Sequence, residues 1–233
     1  MNSMIPVSST STSDALGASA AQRNRVLRNT YWLLALSMVP TVLGAWVGVS
    51  TGIASAMSPG ISLIVFLAGA FGFMFAIEKT KNGAAGVPVL LAFTFFMGLM
   101  LSRLLGQVLG LANGASLVML AFAGTGAIFL GMASLSSLIK RDLSSMGKFL
   151  FIGAVMLLVV GIANFFIQSS ALMLTLSVLA IGIFSAFILH DLKQVRDGVE
   201  TNYISATLGV YLSIYNVFQS LLAVLGLTSG REE

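Results

Sequence analysis

The chain has 233 residues, of which 57% are hydrophobic and only 9% are charged, and its formal net charge is +4. Soluble domains are roughly half apolar and about a quarter charged, so this chain has too little charge to cover a soluble globule. The composition therefore predicts an integral membrane protein. Its few basic residues are scattered among apolar runs, which argues against nucleic-acid binding. The lack of cysteine excludes disulfides, thiolate metal sites and cysteine nucleophiles.

The first 22 residues are rich in serine, threonine and alanine and contain no basic residue. A cleavable signal peptide needs a basic start and a continuous apolar core, and this segment has neither. It also has too little apolar surface for burial to offset the conformational entropy lost on folding, so residues 1–22 are expected to form a disordered cytoplasmic tail. A single membrane domain is expected over residues 23–228, and residues 229–233 form a short tail on the outer side.

Long apolar segments follow one another through the rest of the chain. A helix needs about 20 apolar residues to cross a bilayer core of about 30 Å. Stretches such as "SAMSPG", "EKTKNG" and "KRDLSSMGK" separate the segments, and no strand-like alternation is present. The predicted fold class is an all-α integral membrane protein with seven transmembrane helices. The predicted spans are residues 31–50, 61–78, 84–106, 115–138, 148–168, 171–190 and 203–227.

The basic residues are distributed unequally between the two ends of these spans. With the N-terminus in the cytoplasm, only Arg231 falls in an outer segment, while Arg103 lies within the third span and is expected to snorkel to the headgroups. This asymmetry follows the positive-inside rule and predicts a cytoplasmic N-terminus and a C-terminus on the outer, periplasmic side. The remaining ten of the twelve basic residues are Arg23, Arg25, Arg28, Lys79, Lys81, Lys140, Arg141, Lys148, Lys193 and Arg196.

The segment "LHDLKQVRDGVE" holds the only histidine, His190, and follows the apolar run of the sixth span. Asp191 is either a hydrated carboxylate paired with Lys193 or Arg196, or a partly desolvated one that binds a proton or a cation. Neighbouring residues point about 100° apart on a helix, so a His190–Asp191 dyad is not expected. A single histidine also makes a zinc site improbable. The charged residues expected to form the following loop are Lys193, Arg196, Asp197 and Glu200.

The seventh span carries a stripe of small and polar residues, Gly209, Ser213, Asn216 and Ser220, spaced four, three and four apart on one helix face. Such a stripe predicts helix–helix contact, with hydroxyl and amide groups bonding across the interface; the alternative is the lining of a pore or an ion path. In either case the helix belongs inside the bundle, where its polar groups find partners.

Glycine pairs spaced by four, Gly44/Gly48 and Gly106/Gly110, are typical of close helix packing. The chain contains no phosphate-binding loop, dinucleotide fingerprint, HExxH metal motif or nucleophile elbow. Neither enzymatic activity nor a cofactor is therefore expected.

The segment "FILHDLKQVRDGVETNYISATLGVYLSIYNVFQSLLAVLG" resembles the C-terminal signature of the BAX-inhibitor (TMBIM) family of seven-helix membrane proteins. "VLRNTYWLL", "LAFTFFMG" and "KRDLSSMG" extend the resemblance, with matching spacing, over residues 23–228. The closer likeness is to the bacterial, YccA-like branch, which implies a modulator of the membrane-anchored AAA protease FtsH. The resemblance also implies six helices surrounding a central C-terminal helix.

The calcium-conducting members of this family carry two aspartates that form a pH-sensitive latch. Asp191 matches the first, whereas the second falls at Ser213, which cannot supply a carboxylate. Lys79 or Lys81 is the nearest equivalent of the basic latch partner. Asn216, one turn from Ser213, completes the set of candidates for sensing a proton or cation, and calcium near Asp191 is the ion that the resemblance implies.

Two functions follow from these expectations. The first is a regulator in the bacterial inner membrane that binds an FtsH-type protease complex and restrains degradation of membrane proteins. The second is a pH-modulated leak for calcium or another cation that passes near Asp191. The missing second aspartate favours the first function, and the bilayer is a partner in both.

Overall fold

The structure, a computed structural model, describes residues 10–230, with side chains from Ala20 onward and without that of Ser144. Within this range the chain forms helices joined by short connections, and no strand is present. Helix α2 is a single turn between the first two long helices. The helices are α1 (Thr10–Thr51), α2 (Ile53–Ala56), α3 (Pro59–Thr80), α4 (Gly86–Leu109), α5 (Gly114–Leu138), α6 (Ser144–Ile167), α7 (Ser170–Asp197) and α8 (Tyr203–Ser229).

Seven of these helices are long and apolar enough to cross a membrane, namely all except α2. The prediction of an all-α protein with seven transmembrane helices is therefore confirmed. Their ends are set by local chemistry. For example, the Ser58 side chain caps α3, Pro59 opens it, and the Asn202 side chain accepts hydrogen bonds from two backbone amides at the start of α8.

Helix α1 begins at Thr10, inside the segment for which a disordered tail is predicted. Residues 10–22 continue the first helix, since the alanine-rich stretch "DALGASAAQ" has good helix propensity. Residues 1–9 lie outside the described part of the chain. The division of the chain at residue 23 stays a prediction.

Helix α7 extends to Asp197, seven residues beyond the predicted end of the sixth span. Lys193, Arg196 and Asp197 are thus part of the helix, and the prediction that they form a loop is wrong. The helix ends at Gly198, which adopts a left-handed conformation with φ 79° and donates backbone hydrogen bonds to the last turn. The apolar run therefore ends before the helix does, because a charged final turn can remain helical in water.

Helices α1 and α4 approach each other through glycine. A methyl group at Gly44 would overlap the backbone of Phe95, and one at Gly98 would overlap the backbone of Thr41. Gly48 faces Ser102 with equally little room. By contrast, a methyl group at Gly106 would have no neighbour within 4 Å, and Gly110 meets only its own turn. The expectation of close packing is confirmed for Gly44/Gly48 and is wrong for Gly106/Gly110, which lie at the terminus of α4.

Helix α8 packs against α1, α3, α4, α5 and α7, and about half of its residues lie in the hydrophobic core or beside it. Helix α6 instead packs against α7, and none of its described side chains is buried. The arrangement of six helices around a central α8, which the family resemblance implies, therefore stays a prediction. What the structure does show is that α8 is among the most buried of the long helices.

Three contacts bring the start of α1 and the connections α3–α4, α5–α6 and α7–α8 together at one end of the bundle, which we call the basic end. The Asn202 side-chain amide donates to the Lys81 carbonyl at 3.2 Å, and the Arg196 guanidinium donates to Ser136 Oγ at 3.3 Å. Gly198 packs against the Arg23 side chain. The ten basic residues named above belong to this end, whereas Arg103 donates to the Met57 carbonyl at the other. Which end faces the cytoplasm stays a prediction.

Candidate functional site

Asp191 lies in the last two turns of α7, and its carboxylate faces α8. A methyl group built on Gly209 would lie 3.0 Å from Asp191 Oδ2. The Asp191 side chain is 22% exposed, so it is mostly withdrawn from solvent although it is near the basic end. The glycine leaves room for the carboxylate, and a larger residue at position 209 would press against it.

His190 contacts the same carboxylate from the adjacent position. Its Nδ1 lies 3.2 Å from Asp191 Oδ1, and Gln194 Nε2 lies 3.1 Å from its Nε2. Since Gln194 Nε2 can only donate, His190 accepts at Nε2 and donates from Nδ1 to the carboxylate when the ring is neutral. The expectation that His190 and Asp191 do not form a dyad is therefore wrong. The Cα–Cβ bonds diverge, but the imidazole is long enough to reach back over the helix surface.

The imidazole is also held from the other side, by α6. A methyl group at Gly147 would lie 2.7 Å from His190 Nε2, so the ring packs directly on that glycine. The side chain of His190 is 12% exposed. His190, Asp191 and Gln194 of α7 thus lie between Gly147 of α6 and Gly209 of α8, and we call these five residues the α7 junction.

The nearby basic residues have other partners. Lys193 Nζ pairs with Asp197 Oδ2 at 2.8 Å one turn further along α7, and Arg196 reaches Ser136 on α5. Neither residue forms an ion pair with Asp191, so the interpretation of Asp191 as half of an ordinary surface pair is not what the structure shows. Its observed partner is His190.

The two candidate latch lysines lie on α3 and at its C-cap. Lys81 pairs with Glu78 at 2.6 Å, and Lys79 lies 4.5 Å from the centre of the Phe75 ring. The structure shows neither lysine in an ion pair with Asp191. The assignment of Lys79 or Lys81 as the basic partner stays a prediction.

Two polar side chains of the α8 stripe bond within their own helix. Ser213 is 3% exposed and its hydroxyl donates to the Gly209 carbonyl at 3.0 Å. Asn216 donates from Nδ2 to the Leu212 carbonyl at 2.8 Å. These bonds differ from the bonds across the interface that were expected, because the carbonyl four residues earlier is within reach of a short polar side chain. Ser220 is also buried, while Gly209 is half-buried.

Instead, two tyrosines of α8 that were not among the predicted site residues form hydrogen bonds to neighbouring helices. Tyr211 Oη lies 2.9 Å from Thr41 Oγ1 of α1 and donates weakly to the Thr94 carbonyl of α4. Tyr215 donates to the Met97 carbonyl of α4 at 3.2 Å. Both rings are buried, and their spacing of four residues puts them on one face. A tyrosine inside an apolar span needs a partner for its hydroxyl, and this requirement could have identified them.

The α7 junction therefore presents one carboxylate, one imidazole and one amide. Among residues 10–230 no group of three histidine, cysteine or acidic side chains is placed to hold a metal ion. Calcium prefers 6–8 oxygen ligands. Ser213 supplies a hydroxyl whose hydrogen is already directed to Gly209. The Asp191 carboxylate meets α8 and the His190 ring meets α6, so this hydrogen-bonded pair joins the three helices. Calcium near Asp191 stays a prediction.

Seven membrane-length helices, closely packed through glycine and tyrosine contacts, define the protein as a multi-pass helical membrane protein. A family model described as "Inhibitor of apoptosis-promoting Bax1" matches residues 23–230. The chain therefore belongs to the BAX-inhibitor family, which confirms the resemblance found in the sequence.

Curated bacterial relatives match most of the chain. An uncharacterized protein of Neisseria meningitidis serogroup A is 37% identical over 92% of this chain and 96% of its own length. An uncharacterized membrane protein of Vibrio cholerae is 35% identical over 91% of this chain and 93% of its own length. The modulator of FtsH protease YccA of Escherichia coli is 37% identical over 88% of this chain and 91% of its own length.

Proposed function

We propose that the protein is a non-enzymatic regulator of the bacterial inner membrane that binds an FtsH-type AAA protease and restrains its degradation of membrane proteins. The observation that carries this proposal is the 37% identity to the modulator of FtsH protease over 88% of the chain. The basic end, with ten of the twelve basic residues, faces the cytoplasm in this proposal.

The geometry of the α7 junction supports a regulator more than an ion latch. A latch made of two carboxylates that share a proton can open and close as the pair titrates. Here Asp191 faces Gly209, and the nearby Ser213 carries no charge. The carboxylate, His190 and the two glycines hold three helices together. Helices joined in this way can present a surface to another membrane protein.

Co-purification tests the proposed binding. The tagged full-length chain is extracted in a mild detergent, and an unrelated multi-pass protein with the same tag is the control. An FtsH-type complex is expected to be enriched with this chain only. Equal recovery with both baits would contradict binding.

Degradation measurements test the proposed restraint. The half-life of a membrane substrate of the protease is followed in cells with and without the chain, and it is expected to be longer when the chain is present. An unchanged half-life, despite binding, would contradict the restraint.

The N-terminal tail is the proposed entry point for the protease. Processive proteases need an unstructured start, so residues 10–22, which are helical, would have to unwind to be engaged. Residues 1–9 of this tail lie outside the described part of the chain. Deleting residues 2–22 removes the tail and leaves Arg23, whose side chain packs on Gly198. The deletion is expected to lengthen the chain's own half-life only in cells that contain the protease. The same half-life with and without the tail would count against engagement there.

A second candidate function, a pH-modulated leak for calcium or another cation, is favoured by one observation. Asp191 is a carboxylate that is only 22% exposed and faces Gly209 of α8. Calcium flux into liposomes is measured over a pH series for the wild type, Asp191→Asn and the control Glu78→Gln, whose carboxylate is 67% exposed. The leak is supported if only Asp191→Asn changes the flux. Flux that is absent, or equal in all three at every pH, would remove this candidate.

A further inference from the structure

A cleft on the outer surface of α1 at the basic end combines an arginine with aromatic residues. Its volume is about 380 Å³, and it is lined by Asn24, Leu27, Arg28, Tyr31 and Trp32. We propose that this cleft binds the headgroup of an anionic phospholipid, with the first part of an acyl chain lying along Trp32. This site is independent of the protease partner proposed above.

Helices α5 and α7 contribute to the same place. The Tyr31 ring meets the Phe129 ring of α5 edge-on, with the ring centres 6.3 Å apart. Two turns further along α5, Ser136 accepts a hydrogen bond from Arg196 of α7 at 3.3 Å. Arg196 is also close enough to Tyr31 to interact with it electrostatically. Arg28 thus lines the cleft, and Arg196 of α7 interacts with Tyr31, another of its lining residues.

Neither arginine belongs to the ion pairs that the structure shows among the side chains it describes. Those pairs are Lys81–Glu78, His190–Asp191 and Lys193–Asp197. Guanidinium groups present several donors in a planar arrangement that matches phosphate oxygens. The guanidinium of Arg28 in the cleft, with that of Arg196 acting on Tyr31, therefore favours a ligand with a net negative charge.

The surroundings of the cleft indicate a lipid and not a soluble anion. Trp32 is 73% exposed on a helix that crosses the membrane, so its ring faces the bilayer. Tryptophan and tyrosine are typical at the level of the headgroups. Basic residues at the cytoplasmic side interact with the anionic lipids of that leaflet. The cleft thus offers charge for a headgroup and an apolar surface for an acyl chain at the depth where both occur.

Fluorescence quenching in bilayer nanodiscs tests the site directly, since Trp32 is one of only two tryptophans. In the full-length Trp46→Phe variant, Trp32 is the sole reporter. Brominated phosphatidylglycerol is expected to reach half-maximal quenching at a mole fraction on the order of tenfold lower than brominated phosphatidylcholine. The preference is expected to persist when soluble glycerol phosphate is added, because that anion has no acyl chain.

Substitutions identify the groups responsible. Arg28→Gln and Arg196→Gln, each in the Trp46→Phe background, are expected to reduce the preference to roughly twofold or less when combined. Arg28 is exposed and makes no hydrogen bond to the side chains or backbone of residues 20–230, so Arg28→Gln alone is expected to preserve the fold and to give part of this loss. Arg141→Gln, also at the basic end but outside the cleft, is the matched control and is expected to leave the preference unchanged.

Three results would overturn the proposal. The first is the same half-maximal mole fraction for both brominated lipids. The second is an equal loss of preference in Arg28→Gln and Arg141→Gln, which would show a general effect of surface charge. The third is displacement of the lipid by soluble glycerol phosphate, which would show a site for a free anion.

Discussion

The Asp191 carboxylate lies directly against Gly209, so close that a methyl group on that glycine would be 3.0 Å from Oδ2. One turn along α8, Ser213 directs its hydroxyl to the Gly209 carbonyl at 3.0 Å. Helices α7 and α8 therefore meet at a carboxylate on one side and a glycine and a serine on the other. Because position 213 holds a serine, it supplies no second carboxylate next to Asp191. The effect of a second carboxylate can therefore be tested by a substitution at this position.

Ser213→Asp is expected to make stability depend on pH. The new carboxylate would be buried near Asp191, and two ionised carboxylates repel each other, whereas a protonated acid can share its hydrogen. The repulsion is present at pH 8 and absent once one group is protonated, so the variant is more stable at pH 5. We expect a loss on the order of 2 kcal/mol at pH 8, measured by thermal unfolding in detergent.

Ser213→Asn is the control for this experiment, because it is polar and of similar size to aspartate but does not titrate. It is expected to show the same stability change at pH 5 and pH 8. If both variants shift equally at every pH, the two carboxylates do not interact.

The hydrogen bond between Tyr211 and Thr41 is expected to couple α8 to α1. The two oxygens are 2.9 Å apart, between the buried Tyr211 and the half-buried Thr41. Hydrogen bonds between membrane helices contribute about 0.6 kcal/mol on average, so a double-mutant cycle with Tyr211→Phe and Thr41→Val should give a coupling energy near that value. Unfolding in a denaturing detergent measures it. Tyr203→Phe, paired with the same Thr41→Val, should give a coupling energy near zero, and a similar value in both cycles would contradict the assignment.

The glycines between α1 and α4 are expected to be intolerant of even a methyl group. Gly44→Ala and Gly98→Ala would each place a carbon atom into the opposite backbone, and overpacking of this kind costs about 1–3 kcal/mol. Gly106→Ala and Gly126→Ala have open space around the added methyl group. Because alanine has the better helix propensity, these controls should be neutral or stabilised by up to about 1 kcal/mol. Equal unfolding free energies for all four would contradict the close approach of the two helices.

The orientation in the membrane can be measured with single cysteines, because the natural chain has none. Asn113→Cys lies in the exposed connection between α4 and α5, and Lys140→Cys lies in the exposed connection between α5 and α6. A maleimide that cannot cross the inner membrane should label position 113 in intact cells and position 140 only after lysis. The reverse pattern would place the basic end outside and would contradict the predicted topology.

Most residues of the candidate site could be predicted from the sequence, but the contacts between them could not. Asp191 and Gly209 were both singled out, one by its charge beside an apolar run and the other by its place in the α8 stripe. Their contact was not predicted, since the spacing of residues along a helix defines a face but not the helix that it meets. The same limit explains why Ser213 was expected to bond across the interface.

The sequence by itself determined the class of the protein, the number of spans and the end of the spans at which the basic residues collect. The physical reason is that a bilayer demands about 20 apolar residues per crossing and that basic residues collect on one side, and both requirements act on the linear chain. The family also followed from motifs and their spacing, which are properties of the sequence alone.

Only the tertiary structure decided which groups meet. It showed that α7 continues to Asp197, that the His190 ring reaches back to Asp191, and that Gly44 and not Gly106 is packed against another helix. The last two of these outcomes depend on side-chain torsion angles and on the distance between two helix backbones. Those quantities arise when the helices pack together, and periodicity within one helix does not contain them.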